Sequence, residues 1–393
     1  MSAIKMISNV KLPSAYSGLM LFMLVILLPS CKEKFISPAP PIITGYLVVE
    51  GVINNGGGET NLKLSRTSDL NTNTNIYEKG AKVKLEGSNN ASWMLSENND
   101  GNYSINNLQL DTAYKYRLLI KTNNNEEYES DFVSVRNNPP IDSISWVRDN
   151  KGVTILINTN DPQNKTRYYQ WEYFETWEFH AAFSASLKYV TSNTFPRISV
   201  ERRGFSDPAI FKCWQFNPST NIILGSSAKL SRDIIQLPVT NITPASWKLS
   251  VMYSIFVKQY AWSKEGFEFL ERMKKNTESV GSVFDAQPSE LNTNFKCISN
   301  PNLPVIGFFN ICTIREQRIF IKNNQLPDWN YRQGCATVEI ENQPDSILLK
   351  AKGLLPIQPV VATPFLIITF SATDPICVDC TLRGSNVKPL YWP

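Results

Sequence analysis

Apolar and polar residues alternate in short runs along most of the chain, and this period of two predicts β-strands. Between residues 42 and 138 turn-forming residues separate seven such runs about every 8–12 positions, which is typical of a β-sandwich. The runs cover residues 46–53, 60–66, 81–86, 92–96, 102–105, 114–122 and 128–135. We therefore predict an N-terminal immunoglobulin-like sandwich over residues 42–138.

The sequence Asn137-Asn138-Pro139-Pro140 interrupts strand pairing and marks a predicted domain boundary. Beyond it we predict a larger β-rich domain over residues 139–393, so that the whole fold is mainly β. Its strands are expected at residues 141–147, 152–158, 168–180, 222–224, 234–239, 250–260, 305–311, 318–322 and 366–371.

One α-helix is predicted in this second domain, at residues 263–277. Ser263 can cap its first turn, and Trp262 can pack on Phe267 as a hydrophobic staple. Gly266 stands where a capping box would have a glutamate.

The stretch before the sixth predicted strand is similar to the tyrosine corner of fibronectin type III domains, which reads Leu-x-Pro-x-Thr-x-Tyr. Here Leu108, Thr112 and Tyr114 match, and Leu110 replaces the proline. The resemblance implies that Tyr114 hydrogen-bonds back to the preceding corner.

An unbroken apolar run, residues 19–28, follows Lys5 and Lys11 and ends at Leu28-Pro29-Ser30-Cys31. A basic start and an apolar run too short for the roughly 20 residues of a membrane span indicate a secretory signal. We predict a lipoprotein signal peptide at residues 1–30, lipidation of Cys31 and a Pro-rich tether over residues 31–41. An ordinary cleaved signal and an uncleaved anchor are the alternatives.

Charge and composition exclude one large class of partner. The formal net charge is +4, and removing residues 1–30 with their two lysines leaves +2. Nucleic-acid binders carry a much larger basic excess, so no nucleic-acid partner is predicted. Membrane contact is expected through the acyl anchor.

Six cysteines remain once Cys31 is assigned to lipid, and an even number outside the cytoplasm favours disulfides. The candidates are Cys213, Cys297, Cys312, Cys335, Cys377 and Cys380. At least one bond is expected between Cys335 and the Cys377/Cys380 pair, in the turn-rich last part of the chain. Free thiols, or metal or redox chemistry at Cys377-Val378-Asp379-Cys380, are alternatives; no metal and no cofactor is predicted.

Aromatic residues are densest in the predicted strand at residues 168–180, where Tyr169, Trp171, Tyr173, Trp177 and Phe179 share one face. This face is predicted to be core, and a sugar-stacking surface is the alternative.

Glutamates of the same strand raise the possibility of glycan hydrolysis by paired carboxylates. Glu172 and Glu178 are separated by about 20 Å at roughly 3.3 Å per strand residue, too far for the 5–9.5 Å that such a pair needs. Either could pair with a carboxylate from elsewhere. No Gly-x-Ser-x-Gly elbow occurs and His180 is the one histidine, so no catalytic residue is assigned.

Several strings, in this order, resemble one family of exported lipoproteins, the domain of unknown function 4249. They are Leu47-Val48-Val49-Glu50-Gly51, Asn158-Thr159-Asn160-Asp161-Pro162, Tyr168-Tyr169-Gln170-Trp171-Glu172-Tyr173, Tyr253-Ser254-Ile255, Lys258-Gln259-Tyr260, Lys275-Asn276-Thr277-Glu278, Phe284-Asp285-Ala286-Gln287-Pro288-Ser289-Glu290, Arg318-Ile319-Phe320-Ile321, Cys377-Val378-Asp379-Cys380-Thr381 and Lys388-Pro389-Leu390-Tyr391-Trp392. The resemblance implies a Bacteroidota outer-membrane lipoprotein of a kind often encoded beside TonB-dependent receptors, and it supplies no catalytic residues.

Together these observations predict a lipid-anchored outer-membrane protein with no enzymatic activity. Its expected role is that of a binding or accessory subunit of a TonB-dependent receptor. A glycan-acting hydrolase and a structural or adhesive surface protein are the alternatives.

Overall fold

Strands dominate the structure, as the alternating pattern predicts. The computed structural model describes residues 45–68, 75–194, 198–278 and 292–393. These residues form 26 strands and two α-helices, which confirms the prediction of a mainly β fold. Neither helix in the described ranges has the length and apolar character to cross a membrane. The predicted signal peptide, Cys31 and the tether lie outside the described residues.

Ten strands precede the predicted boundary. They are β1 (Leu47–Gly51), β2 (Ile53–Asn54), β3 (Thr60–Arg66), β4 (Ile76–Tyr77), β5 (Lys82–Gly87), β6 (Ser92–Glu97), β7 (Asn102–Ile105), β8 (Lys115–Lys121), β9 (Glu127–Ser130) and β10 (Val133–Ser134). No strand crosses Asn138, because β10 ends before it and the next strand begins at Ile141.

Sixteen strands and both helices follow the boundary. The elements up to the first helix are β11 (Ile141–Asp149), β12 (Gly152–Asp161), β13 (Tyr168–His180), β14 (Leu187–Thr191), β15 (Ile198–Arg202), β16 (Lys212–Pro218), β17 (Ile223–Ser226), β18 (Asp233–Ile242), β19 (Met252–Ala261) and α1 (Lys264–Glu278). The remainder are β20 (Phe295–Cys297), β21 (Val305–Gly307), β22 (Ile311–Cys312), β23 (Arg315–Lys322), β24 (Val338–Glu341), α2 (Pro344–Lys350), β25 (Leu355–Ala362) and β26 (Ile367–Thr373).

Nine of the first ten strands, all except β2, join β20 and β21 in one sheet with the order β20-β9-β8-β5-β6-β7-β3-β1-β21, with β4 and β10 attached to β3 and β8, and β2 pairs with β22 separately. Alternate side chains of β3, β5 and β8 are fully buried, including Leu62, Leu85 and Leu118. Two of these strands, β20 and β21, come from residues 295–307. The sheet therefore takes in chain from beyond the predicted boundary at residue 138.

A second core lies between two sheets of the larger part. One sheet has the order β11-β12-β18, and the other has the order β16-β13-β19-β23 with β17 also paired to β13. Their facing side chains pack together, among them Ile155, Trp171 and Ile255, each fully buried. The sheet containing β13 thus has one inner face and one outer face.

The segment at the predicted boundary is buried and tied to the second core. Asn138 is fully buried, and its side chain donates to the carbonyl of Gln259 at 2.6 Å. The Gln259 side chain in turn donates to the carbonyl of Pro139 at 2.9 Å and accepts from the Trp171 indole at 2.9 Å. The described residues from 45 onward accordingly form one compact unit.

The tyrosine corner is made by Tyr116, so the assignment to Tyr114 is wrong. Tyr116 is 1% exposed and its hydroxyl donates to the carbonyl of Asp111 at 2.9 Å. Tyr114 is 40% exposed. Tyr116 points inward because it shares the buried face of β8 with Leu118 and Ile120, and Tyr114 precedes the strand.

The first helix begins as predicted, with a modified cap. The Ser263 hydroxyl accepts from the backbone N–H of Gly266 at 3.0 Å. A Cβ on Gly266 would lie 2.7 Å from the Trp262 ring and 3.0 Å from the Phe308 ring. A glutamate there would therefore collide with the rings that cover the helix start, which explains the missing capping box.

A small third cluster completes the fold near the C-terminus. The sheet β24-β26-β25 packs with the β14–β15 hairpin and with α2 around Phe370 and Ile340. The second helix was absent from the sequence-based prediction of one helix. At seven residues it is too short to show a helical repeat of apolar positions.

Candidate functional site

The aromatic face of β13 is core, as predicted. Tyr169, Trp171, Trp177 and Phe179 are at most 4% exposed and pack against the facing sheet. The alternative of a sugar-stacking surface on this face is wrong, because no ligand can reach these rings.

Exposed aromatic side chains occur on the opposite, outer face of the same sheet. Phe174 lies opposite Phe256 of β19, with ring centroids 6.4 Å apart, and Phe216 of β16 lies opposite the neighbouring Thr176. Phe174 is 41% exposed and Phe216 is 50% exposed. Three adjacent strands therefore present phenyl rings to solvent in one area.

Two cations lie among these rings. The Arg318 guanidinium of β23 is 4.7 Å from the Phe256 ring centroid and 3.7 Å from that of Tyr391. The Lys258 ammonium is 6.0 Å from the Phe174 centroid and 3.2 Å from a Glu316 carboxylate oxygen. Side chains from β13, β16, β19, β23 and the C-terminus thus surround a hollow of about 500 Å³. We call this group the platform: Phe174, Phe216, Phe256, Lys258, Arg318 and Tyr391.

Arg318 lacks a carboxylate partner among the described residues, unlike Lys212 and Lys258 of the same sheet, which pair with Glu178 and Glu316. One of its N–H groups donates to the Ser254 hydroxyl at 3.1 Å. Within the residues that the structure describes, no acidic side chain lies within ion-pair distance of it. Burial lowers the pKa of the Arg318 guanidinium, and the neighbouring Tyr391 acts in the opposite direction.

The last residues of the chain form part of this face. Tyr391 and Thr176 share a hydrogen bond of 2.8 Å between their hydroxyl groups. The Trp392 ring is edge-on to Phe320 and Trp214, with centroid distances of 5.4 and 6.5 Å, and it is 4% exposed. The C-terminus therefore covers one part of the outer face and leaves the platform open beside it.

The glutamates of β13 are engaged by donors. Glu175 is on the inner face, 1% exposed, where it accepts from the Lys248 ammonium at 2.6 Å and the Tyr253 hydroxyl at 2.9 Å. Burial raises the pKa of Tyr253, and the Glu175 carboxylate raises it further.

The other two glutamates lie on the outer face. Glu178 accepts from Lys212 and from the Trp392 indole, both at 2.9 Å, and lies 3.2 Å from His180. Glu172 accepts from the Tyr260 hydroxyl at 2.8 Å.

Other recesses are less distinctive in their chemistry. The groove along α1, about 860 Å³, is lined by lysines and glutamates whose charges compensate, as in Lys264–Glu268 at 3.8 Å and Lys274–Glu278 at 3.7 Å. In the described ranges no three histidine, cysteine or acidic side chains come close enough to hold a metal ion.

Four of the six candidate cysteines form disulfides. Cys335 pairs with Cys377, which confirms the predicted bond, and Cys213 pairs with Cys380. The pairing of Cys213 with Cys380 fixes β16, which carries Phe216, to the C-terminal segment.

Cys297 and Cys312 are free thiols, so including them among the disulfide cysteines was wrong. Cys297 packs in the core of the first sheet, whereas Cys312 packs beside α1 in a different cluster. Burial raises the pKa of Cys312 to about 12.

Comparisons with known proteins find solved structures of low similarity. No curated protein matches the chain. Among solved structures, the chicken interferon gamma receptor alpha chain is 10% identical over 56% of this chain and 90% of its own, with a TM-score of 0.15. Chitinase ChiA74 from Bacillus thuringiensis is 12% identical over 46% of this chain and 29% of its own, also with a TM-score of 0.15.

The family comparison covers the strands that build the platform. The model described as "Domain of unknown function (DUF4249)" matches residues 33–318. This span includes Phe174, Phe216, Phe256, Lys258 and Arg318, and Tyr391 lies beyond it. The chain therefore belongs to the DUF4249 family, as the ordered strings of the sequence predict.

Proposed function

We propose that this protein is a lipid-anchored component of the outer membrane that binds a ligand without transforming it, in partnership with a TonB-dependent receptor. The observation that carries the binding role is the platform. Large exposed apolar areas on a folded protein mark interaction sites, and here the rings surround two basic groups.

The contacts of β13 favour binding over glycan hydrolysis. A hydrolytic pair needs one carboxylic acid and one carboxylate facing a cleft. Glu175 is buried with Lys248 and Tyr253, and Glu178 is held between Lys212 and Trp392. These contacts give both side chains a structural role.

The lipid anchor is proposed from the sequence of the leader. Acyl chains on Cys31 would stabilise membrane attachment by about 0.8 kcal/mol per buried CH₂. Cys31→Ala should abolish fatty-acid labelling and remove the protein from the membrane fraction, whereas Ser37→Ala in the tether should change neither. Unchanged fractionation of Cys31→Ala would contradict the anchor.

Affinity purification tests the receptor partnership. A tag inserted after Pro41 leaves the packed C-terminus free, and the protein is then purified from outer membranes solubilised in mild detergent. We expect a TonB-dependent receptor in near-equal amount, and recovery of the protein without one would contradict the partnership.

A platform variant separates ligand binding from receptor binding. Phe174→Ala/Phe216→Ala should retain the receptor, because the platform is proposed to hold the ligand. Glycan cleavage by the purified protein that is lost in Glu172→Gln would establish the hydrolase instead.

A further inference from the structure

We infer that the platform binds an acidic saccharide, with sugar rings on its phenyl groups and a sugar carboxylate at Arg318. This inference rests on the proposed function, because it names the ligand class of the same site. Three features of the outer sheet face support this inference. The backbone groups of the central strands are already hydrogen-bonded, phenyl rings are exposed, and the Arg318 guanidinium has no carboxylate partner in the described part of the chain.

Recognition on this face must use side chains. β13 is paired with β16 and β17 along one edge and with β19 along the other, and β19 is paired with β23. The backbone N–H and C=O groups of β13 and β19, the two central strands, are therefore already used in the sheet. An added peptide strand binds through such groups at a free edge, so it could not pair with the two strands that carry Phe174 and Phe256.

The exposed rings form a surface for stacking. Phe216, Phe174 and Phe256 lie on three adjacent strands, which at about 4.8 Å per strand spread them over roughly 10 Å. An aromatic face carries a partial negative charge, which attracts the weakly positive C–H groups on the flat side of a sugar ring. The open hollow of about 500 Å³ is within the usual range of roughly 300–1,000 Å³ for small-ligand sites.

Arg318 supplies the preference for acid. The guanidinium is positioned by the Ser254 hydroxyl and by two neighbouring rings, Phe256 and Tyr391. A planar guanidinium binds a carboxylate through two parallel hydrogen bonds. An aliphatic ligand would bury this charge without a partner, which is costly.

Lys258 adds a second positive charge to the lining of the hollow. Its ammonium lies 5.8 Å from the Phe256 centroid, and its Glu316 partner is 45% exposed. Exposed ion pairs contribute little to stability, so Lys258 can turn to a ligand carboxylate at small cost.

Two tetrasaccharides that differ only at C6, where one has a carboxylate and the other a hydroxymethyl group, test the inference. The full chain in detergent is titrated calorimetrically with a tetramer of galacturonic acid and with the matching neutral tetramer of galactose. We expect the acid to bind at least about tenfold more tightly at low salt, and this advantage to shrink as salt is added.

Variants assign the preference to the named groups. Arg318→Gln should weaken binding of the acid about tenfold and leave the neutral tetramer unchanged, and Arg202→Gln, an exposed arginine elsewhere, should affect neither. If Arg318→Gln lowers the melting temperature, Lys258→Gln provides the same comparison with a smaller expected loss.

The experiments distinguish a failure of the acidic-saccharide inference from a failure of the proposed function. Equal binding of both tetramers, lost in Phe174→Ala/Phe216→Ala, would overturn the acidic ligand class and leave the platform as a binding site. Binding of neither tetramer would overturn the inference, and receptor co-purification would still decide the proposed function.

Discussion

At the scale of single residues, the tyrosine corner before β8 is formed by the tyrosine whose hydroxyl is buried beside a hydrogen-bond acceptor. Tyr116 is buried and its hydroxyl finds the carbonyl of Asp111. Burial raises the pKa of Tyr116, so the hydroxyl stays a donor at neutral pH.

We expect Tyr116→Phe to lower the free energy of unfolding by about 1 kcal/mol, because one intramolecular hydrogen bond is lost. Tyr114→Phe is the matched control, and its effect should stay within about 0.5 kcal/mol at an exposed position. Urea denaturation measures both. A larger loss for Tyr114→Phe would contradict the assignment of the corner.

Asp161 makes a pH-dependent contribution after β12. Its carboxylate accepts from the backbone N–H groups of Gln163, Lys165 and Thr166 at 2.8–2.9 Å. Burial alone would raise the pKa of Asp161, but these hydrogen bonds outweigh it and lower the pKa below its ordinary value.

The folded-state pKa lies below the unfolded value of about 3.9, so the stabilisation is complete above that value and is lost as pH falls through the folded pKa. Asp161→Asn should therefore cost about 1 kcal/mol at pH 7, with the difference from wild type shrinking below about pH 4. Denaturant titrations across pH measure this, and a difference that stays constant down to pH 2 would refute it.

At the scale of elements, α1 shows tertiary packing overriding helix propensity. Alanine favours a helix interior over glycine by about 1 kcal/mol. At Gly266, however, an added Cβ would lie 2.7 Å from the Trp262 ring. Gly266→Ala should therefore destabilise the protein by about 1–3 kcal/mol through overpacking.

Thermal denaturation of Gly266→Ala measures this effect, and Lys275→Ala on the exposed side of the same helix should change stability by less than about 0.5 kcal/mol. A stabilised Gly266→Ala would mean that the rings move aside at no cost.

Local sequence patterns predicted single strands and the helix start well, because these elements depend on residues that are neighbours in sequence. β3, β7 and β13 begin and end where the alternation of their residues predicts, and Ser263 caps α1. The pairing of β1 with β21 depends on segments more than 250 residues apart. No local pattern contains that information.

The platform could not be predicted from the sequence, because it too depends on contacts between segments that are distant in the chain. An exposed phenylalanine on the polar face of β13, Phe174, is the one local signal of it. Its neighbours Phe256 and Arg318 join it through the register of three strands, and Tyr391 joins it through the fold of the C-terminus.

At the scale of the whole molecule, Trp392 near the C-terminus acts as a structural part of the sheet. Trp392 is 4% exposed and fills the space between Trp214 and Phe320. Deleting residues 391–393 should lower the free energy of unfolding by about 3–5 kcal/mol, the usual cost of removing a buried tryptophan side chain.

Deletion of Pro393 alone, an exposed residue, is the matched control and should have little effect. Calorimetric melting compares the two deletions. Equal melting temperatures would show that the Trp392 contacts add nothing to stability.

The pairing of Cys213 with Cys380 has a consequence for biosynthesis. The two cysteines are 167 residues apart in the chain, so the first emerges from the ribosome long before its partner exists. Cys213 must remain available as a thiol until almost the whole polypeptide has been made. A chain that stops early can then carry a complete first sheet, yet its Cys213 has lost the partner with which it pairs in the finished protein.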